Sequence, residues 1–170
     1  MDAQKNNQIS GNLPTVPPVG PSWKPQRLRV KDWPVLLDQL GLGWLLGRQF
    51  LVITHRGRRS GLIRRTGVMV LHEDPRTGAL CVAAGTLKTD WYRNIQAEPA
   101  LFVSHAGYRF VPAQRFLTSE ELAEHIGWAR KRHPIRAWIQ CRFFHWRWTT
   151  SQEEILALAR SLGGIVFCPS

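Results

Sequence analysis

Five arginines and one serine crowd a single short connection: Arg56, Arg58, Arg59, Ser60, Arg64 and Arg65, spaced around Gly57 and Gly61. A guanidinium presents a planar fork of donors that meets phosphate or carboxylate oxygens in pairs. Glycine tolerates positive φ and lets backbone come close, and consecutive turn N–H groups can form a concave seat for an anion. The grouping therefore points to a grip on a polyanion, such as the acidic tail of a cofactor. A basic turn can equally be a solvated hairpin tip, so its meaning depends on its neighbours in the chain.

Two strands must hold this turn. Phe50 to Ile53 is a short apolar, partly β-branched run that reads as a buried strand. The next strand covers 65–72, with Val68 and Val70 pointing one way and Met69 and Leu71 the other. Both of its faces are apolar, which places it centrally, covered on both sides. After turn chemistry at 73–78, a third strand at 80–85 ends in the small residues Ala83, Ala84 and Gly85. Small side chains at a strand end let a flat ring lie against backbone, and close packing accounts for them equally well. Thr89 or Asp90 caps a short helix, 91–97, which Pro99 ends. A fourth strand spans 101–104, and Ala106-Gly107 turns the chain into a fifth from Tyr108 to Phe116. Pro112 inside that fifth strand lacks a donor and marks an edge, a bulge or a barrel corner.

The C-terminal third reads as helices and a closing strand. Thr118-Ser119-Glu120-Glu121 is a capping box ahead of Leu122, Ile126 and Ala129, and His133-Pro134 breaks that run. A second helix covers 135–146, and Ser151-Gln152-Glu153-Glu154 is a second capping box that starts a third. Gly163-Gly164 ends the last helix, and 164–168 forms the final strand. Hairpin-linked strands with one inserted helix predict an α+β, mainly β fold: a small six-stranded antiparallel barrel with flanking helices.

Residues 1–22 are polar and Pro/Gly-rich and read as a flexible tail. Residues 23–47 form an N-terminal helix region, with Asp32 as cap and an apolar stripe of Leu36, Leu37, Leu40, Trp44, Leu45 and Leu46 that Gly41, Gly43 and Gly47 weaken. Two readings stay open for it: packing on the barrel exterior, or contact with the inner face of a membrane through Trp33, Trp44 and the basic residues before them. The barrel domain then occupies 48–170.

The 170-residue chain suits one domain, and no apolar run reaches bilayer length. No secretory signal is legible at the N-terminus. Cys81, Cys141 and Cys168 are three, far apart and without a Cys-x-x-Cys pair, as suits free thiols in a reducing cytoplasm. The net charge of +11 calls for an acidic partner: a phosphorylated cofactor, a nucleic acid or an anionic membrane. A non-enzymatic nucleic-acid or membrane-surface binder is a further alternative; the aromatics sit at core and helical spacings rather than among cations on a strand face, which argues against nucleic acid. None of the six histidines stands at metal-ligand spacing, and no nucleophile elbow, Walker motif or dinucleotide fingerprint is present. No catalytic residue is assigned, so any chemistry is expected to reside in a cofactor.

Thr54 to Gly61, then Arg64, Val82-Ala83-Ala84-Gly85, Trp91-Tyr92-Arg93-Asn94 and Pro99 together resemble the deazaflavin-dependent nitroreductase family, split β-barrel reductases that use coenzyme F420. The similarity covers about 48–132 and the strand at 165–168. It implies that Arg58, Arg59, Ser60 and Arg64 bind the phosphate and oligoglutamate tail, with Arg65, Thr66 and Gly67 beside them. It implies that Ala83, Ala84, Gly85 and Thr86 face the ring system, and that Trp91, with Tyr92 and Asn94, closes the pocket. It further implies a homodimer, and hydride transfer to a small-molecule acceptor such as a nitro compound or quinone, with solvent supplying the proton. Arg59 stands for the usual lysine, Gly67 for a common proline and Gly85 for a frequent serine. The lost serine and a short loop from Gly85 to Trp91 keep FMN, in an enzyme or a flavin-storage protein, as the alternative cofactor.

Overall fold

The computed structural model describes residues 33–144 and 146–169. The expected tail, the cap at Asp32 and the basic run before Trp33 lie outside the described residues. Seven strands form one antiparallel sheet in the order β5-β4-β1-β2-β3-β7-β6. They are β1 Phe50–Arg56, β2 Ile63–Glu73, β3 Leu80–Ala84, β4 Phe102–His105, β5 Tyr108–Phe110, β6 Pro112–Leu117 and β7 Gly163–Pro169. The helices are α1 Trp33–Gln39, α2 Asp90–Ala97, α3 Ser119–Arg132, α4 Pro134–Phe144 and α5 Gln152–Ser161, with a short 3-10 turn at Gly43–Leu46.

The expected count of six strands is corrected to seven. The single strand expected from Tyr108 to Phe116 is two strands, β5 and β6, parted at Val111. They occupy the two opposite edges of the sheet, yet one residue separates them in the chain. Only a sheet curled back on itself can bring those edges so near, so this order is that of a split barrel. Pro112 opens β6 opposite Pro169, and neither has an N–H to give a ladder. The proline therefore sits where the chain turns the barrel corner.

β2 is the spine. Its first half pairs with β1 from Phe50↔Met69 to Arg56↔Ile63, and its second half pairs with β3. The register shifts between Val70 and His72, the local irregularity that lets one strand serve both halves of the curled sheet. Both faces of β2 are covered, as its sequence predicts. Leu51, Ile53, Val68, Val70, Val82, Trp91, Tyr92 and Phe167 fill the barrel interior. On the outside, Leu71, Cys81 and Ala83 pack under Leu122, Ile126, Ile155 and Ala159 of α3 and α5.

α1 covers the outer face of β1 through Val35 against Val52. The stripe expected to run through 32–47 stops early. Gly41 takes φ +72, Leu42 N–H donates to the Leu37 carbonyl at 2.8 Å, and Gly41 N–H donates to that of Asp38 at 3.2 Å. That is a glycine-terminated helix end with paired closing bonds. The capping box at Thr118 forms in both directions with Glu121. At α5, Ser151 occupies the cap position without a side-chain bond.

Gly163-Gly164 was expected to end a helix, with Gly164 opening the final strand; the helix ends at Ser161 and the strand begins one residue earlier than expected, so that Gly163 pairs with Ala84 and Gly164 with Ala83. Their role is close packing. A Cβ on Gly163 would come within 2.4 Å of the Tyr92 ring, a rigid neighbour with Phe116 behind it edge-on at 5.5 Å. On Gly164 it would meet Leu117 and Leu122 side chains at 3.0–3.2 Å, a milder crowding. Gly163→Ala is therefore expected to lower stability by about 2 kcal/mol, the scale of core overpacking. Gly164→Ala should cost less than half of that, and urea titration of the two variants compares them.

Candidate functional site

The turn between β1 and β2 is built as its glycines suggest. Gly57 N–H donates to the Leu62 carbonyl at 2.9 Å, Gly61 N–H returns to the Gly57 carbonyl at 2.8 Å, and Gly61 adopts φ +65. A Cβ on Gly57 would stand 2.7 Å from Ser60 Oγ and 3.1 Å from Arg64 Nε. The bare backbone there lets Ser60 and Arg64 fold over it.

The five arginines divide by partner. Arg58 lashes the turn to α2: its N–H donates to Asn94 Oδ1 at 3.1 Å and its Nη1 to the same oxygen at 2.9 Å. Its Nη2 reaches Asp90 Oδ1 at 2.9 Å, at the start of that helix. The Asp90 carboxyl is held below its usual range by the hydrogen bond from Arg58, with the charges of Arg58, Arg59 and Arg64 adding to it. Arg56 bonds Glu98, just past the other end of α2, at 3.2 Å, and the Gly61 carbonyl at 3.2 Å. Arg65 pairs with Asp38 of α1, where Arg109 also approaches. Arg59 and Arg64 remain exposed, and among the described residues neither has a hydrogen bond or ion pair.

Strand alternation explains the division. Arg64 lies opposite His55, and Thr66 opposite Ile53, on the face that looks into the barrel and toward α2. Arg65 and Gly67 lie on the other face, under α1. A Cβ on Gly67 would come 2.8 Å from Pro34, so this glycine lets α1 lie close. Of the residues expected at one site, the structure brings together Arg58, Arg59, Ser60, Arg64, Thr66 and Asn94 and sets Arg65 and Gly67 apart. Asp38→Ala, which leaves the Arg65 guanidinium half-buried and unpaired, is expected to cost about 2 kcal/mol. A thermal melt reads that loss, while cofactor affinity should stay as it was.

Ala83 and Ala84 end β3, and Gly85 follows with open space where a Cβ would stand. Thr86 begins the turn into α2: Lys88 N–H donates to its Oγ1 at 3.2 Å, and its own N–H donates to Thr89 Oγ1 at 3.2 Å. Asp90 starts α2, so this turn runs directly into the Arg58 clasp. Thr89 is the cap residue, though its side chain makes no capping bond. Trp91 and Tyr92 pack inside the barrel, the indole only 7 % exposed, with their rings edge-on at 5.8 Å. The indole expected as a pocket wall therefore lies in the barrel core, at the first turn of α2.

His55 carries a connection that sequence reasoning did not single out. It is buried, with Nδ1 3.3 Å from Asn94 Nδ2 and Nε2 3.2 Å from Thr66 Oγ1. Burial, reinforced by the charge of Arg64, pushes its pKa down to about 4, so the ring is neutral at pH 7. The signal was present: His55 falls in phase with Leu51 and Ile53, on the inward face of an apolar strand. Asp90 and Glu98, the carboxylates that occupy Arg58 and Arg56, carry no comparable mark.

A turn of guanidinium groups, two of them unengaged, beside a strand end with open backbone on a split barrel, defines a protein that can hold an anionic, flat cofactor. The F420H(2)-dependent quinone reductase family matches residues 37–140, and the chain belongs to it. It is accordingly an F420H2-dependent oxidoreductase with coenzyme F420 as cofactor. Among solved structures it is similar to an F420-H2 dependent reductase, FDR-A, at 20% identity over 71% of this chain and 94% of that one, with TM-score 0.45. It is similar to a domain-swapped dimer at 21% identity, over 80% of this chain and 97% of that one, with TM-score 0.48. A pyridoxamine 5'-phosphate oxidase-related, FMN-binding protein of Nostoc punctiforme PCC 73102 is 12% identical over 84% of this chain and 82% of that one, with TM-score 0.44. No curated protein matches the chain.

Proposed function

We propose that the barrel domain, 48–170, holds F420 on the arginine turn and the adjoining strand end and reduces a quinone from there. The observation that carries this is the pair Arg59 and Arg64, two exposed cations with no ion pair or hydrogen bond among the described residues, the nearby Asp90 being paired with Arg58. A polyanionic tail suits such groups, because each charge-assisted bond it forms displaces only water. Ser60 adds a hydroxyl beside them, and the open backbone at Gly85 gives a planar ring a place to lie. When bound and reduced, F420 supplies a hydride to the acceptor. The chain's part is to bind and orient: Arg58 and Asn94 fix the turn against α2, and Ala83 to Thr86 keep the ring face clear.

We include nitro compounds and other activated acceptors in the proposal, and a cytoplasmic homodimer. A peripheral membrane contact would bring the site to a lipid-soluble quinone. Supporting it, Trp33, Leu36, Leu40, Trp44 and Leu45 are exposed along α1 and the 3-10 turn. No helix among the described residues is long and apolar enough to cross a membrane. Steady-state oxidation of F420H2, followed by the return of the deazaflavin's visible absorbance, tests the function. Turnover that needs both the protein and a quinone supports it, and oxidation no faster than without protein rejects it.

A further inference from the structure

We propose that His55 is a positioning residue that sets the direction of a hydrogen-bond chain from the arginine turn to Thr66, leaving the Thr66 hydroxyl as a fixed donor to an acceptor oxygen of the bound cofactor. This rests on the reading that the turn and its neighbours hold F420.

The direction follows from counting donors. Asn94 Oδ1 accepts twice from Arg58, from the backbone N–H at 3.1 Å and from Nη1 at 2.9 Å. The other end of that amide is therefore NH2, and at 3.3 Å from His55 Nδ1 it can only donate. His55 Nδ1 must then carry a lone pair. In a neutral ring the proton sits on Nε2, where it donates to Thr66 Oγ1 at 3.2 Å. A hydroxyl whose oxygen has accepted still has its own proton to give. Thr66 is half-buried, on the inward face of β2 and two residues from Arg64. A donor held beside a free guanidinium welcomes a phosphate, carboxylate or carbonyl oxygen and repels a second donor.

The surroundings hold the ring neutral. Arg56 follows it in β1, Arg64 lies across from it on β2, and Arg58 stands behind Asn94, with Asp90 the nearby carboxylate on α2. Burial, with the charge of Arg64, disfavours an imidazolium and outweighs the Arg56 backbone, which favours one. A protonated Nδ1 would face the Asn94 NH2, one donor opposing another, and turning the amide over to relieve this would take Oδ1 from the Arg58 clasp.

Two measurements test this separately from the function. In the 15N-labelled protein without cofactor at pH 7, long-range proton–nitrogen correlation should show His55 with an unprotonated Nδ1 and a protonated Nε2. A proton on Nδ1 overturns the proposal, whatever the cofactor. In fluorescence titration with oxidised F420, Thr66→Val is expected to lower affinity about tenfold, one hydrogen bond to a charged partner, and Thr66→Ser to stay within about twofold of the parent. His55→Phe should lower it comparably, and the His55→Phe/Thr66→Val pair no further than either alone. Full affinity in Thr66→Val, or additive losses in the pair, overturns the coupling. A parent chain that fails to bind F420 removes the cofactor reading and the role of Thr66 with it, while the ring's tautomer still decides the chain's direction.

Discussion

Replacing Arg59 and Arg64 together by alanine lowers the affinity for F420 by at least roughly 100-fold, since a hydrogen bond to a charged group contributes about 1.5–3 kcal/mol and two guanidinium groups are lost. The same pair of changes leaves stability within about 0.5 kcal/mol, the usual range for surface positions without a partner. The contrast comes from the division of the arginines. Arg58, Arg56 and Arg65 each hold a helix to the barrel. Arg59 and Arg64 hold nothing among the described residues. Arg58→Ala should therefore lower both affinity and melting temperature, because the bonds to Asn94 and Asp90 go with it. Fluorescence titration and a thermal melt on the three proteins separate these roles. Intact F420 binding in the Arg59/Arg64 variant would show the turn to be a solvated tip after all.

Acidification from pH 6.5 toward 4 destabilises the chain by roughly 3 kcal/mol through His55, at about 1.4 kcal/mol for each pH unit of the interval. The sign follows from proton counting. In the unfolded chain the imidazole takes up its proton near pH 6.5, whereas in the fold it does so only at about 4. Between those values the unfolded state binds the extra proton and gains population. Stability is therefore full above 6.5, falls through the interval and levels off below about 4. His72 and His125 are also lowered, chiefly by burial, and push in the same direction. His55→Phe isolates the effect. Its urea-derived stability should fall less steeply over that interval than the parent's. Parallel slopes would mean that the ring is not held neutral by the fold.

What was legible in the chain was mostly what alternation and capping express. The two-faced apolar pattern from Val68 to Leu71 marks β2 as central, and the Thr118–Glu121 box marks the start of α3; both depend on residues close in sequence. The break at Val111 was half-visible. Pro112 signals an irregularity, but nothing local shows that the halves of one run belong to opposite edges of the sheet. Gly163 misled for a related reason. A glycine pair after a helix resembles a stop signal, and the Tyr92 ring that requires Gly163 lies about seventy positions away in the chain.

The site shows the same boundary. The clustering of arginines was plain, whereas their division was not, because the carboxylates that occupy them come from α1, the start of α2 and the residue after it. The alternation that puts Arg64 and Arg65 on opposite faces of β2 was available from the sequence. It could have separated the ligand side from the α1 side. The indole of Trp91 reads as a wall from its place beside the turn, but the first turn of α2 aims it inward.

The central claim is that unpaired guanidinium groups on one hairpin select an F420 tail. Competition between oxidised F420 and FMN for the intact chain, read by fluorescence at low and at moderate salt, tests it most directly. The account predicts that F420 binds more tightly than FMN, with a margin that narrows as salt screens the charges. FMN binding as tightly as F420, or a preference that salt leaves untouched, would contradict it.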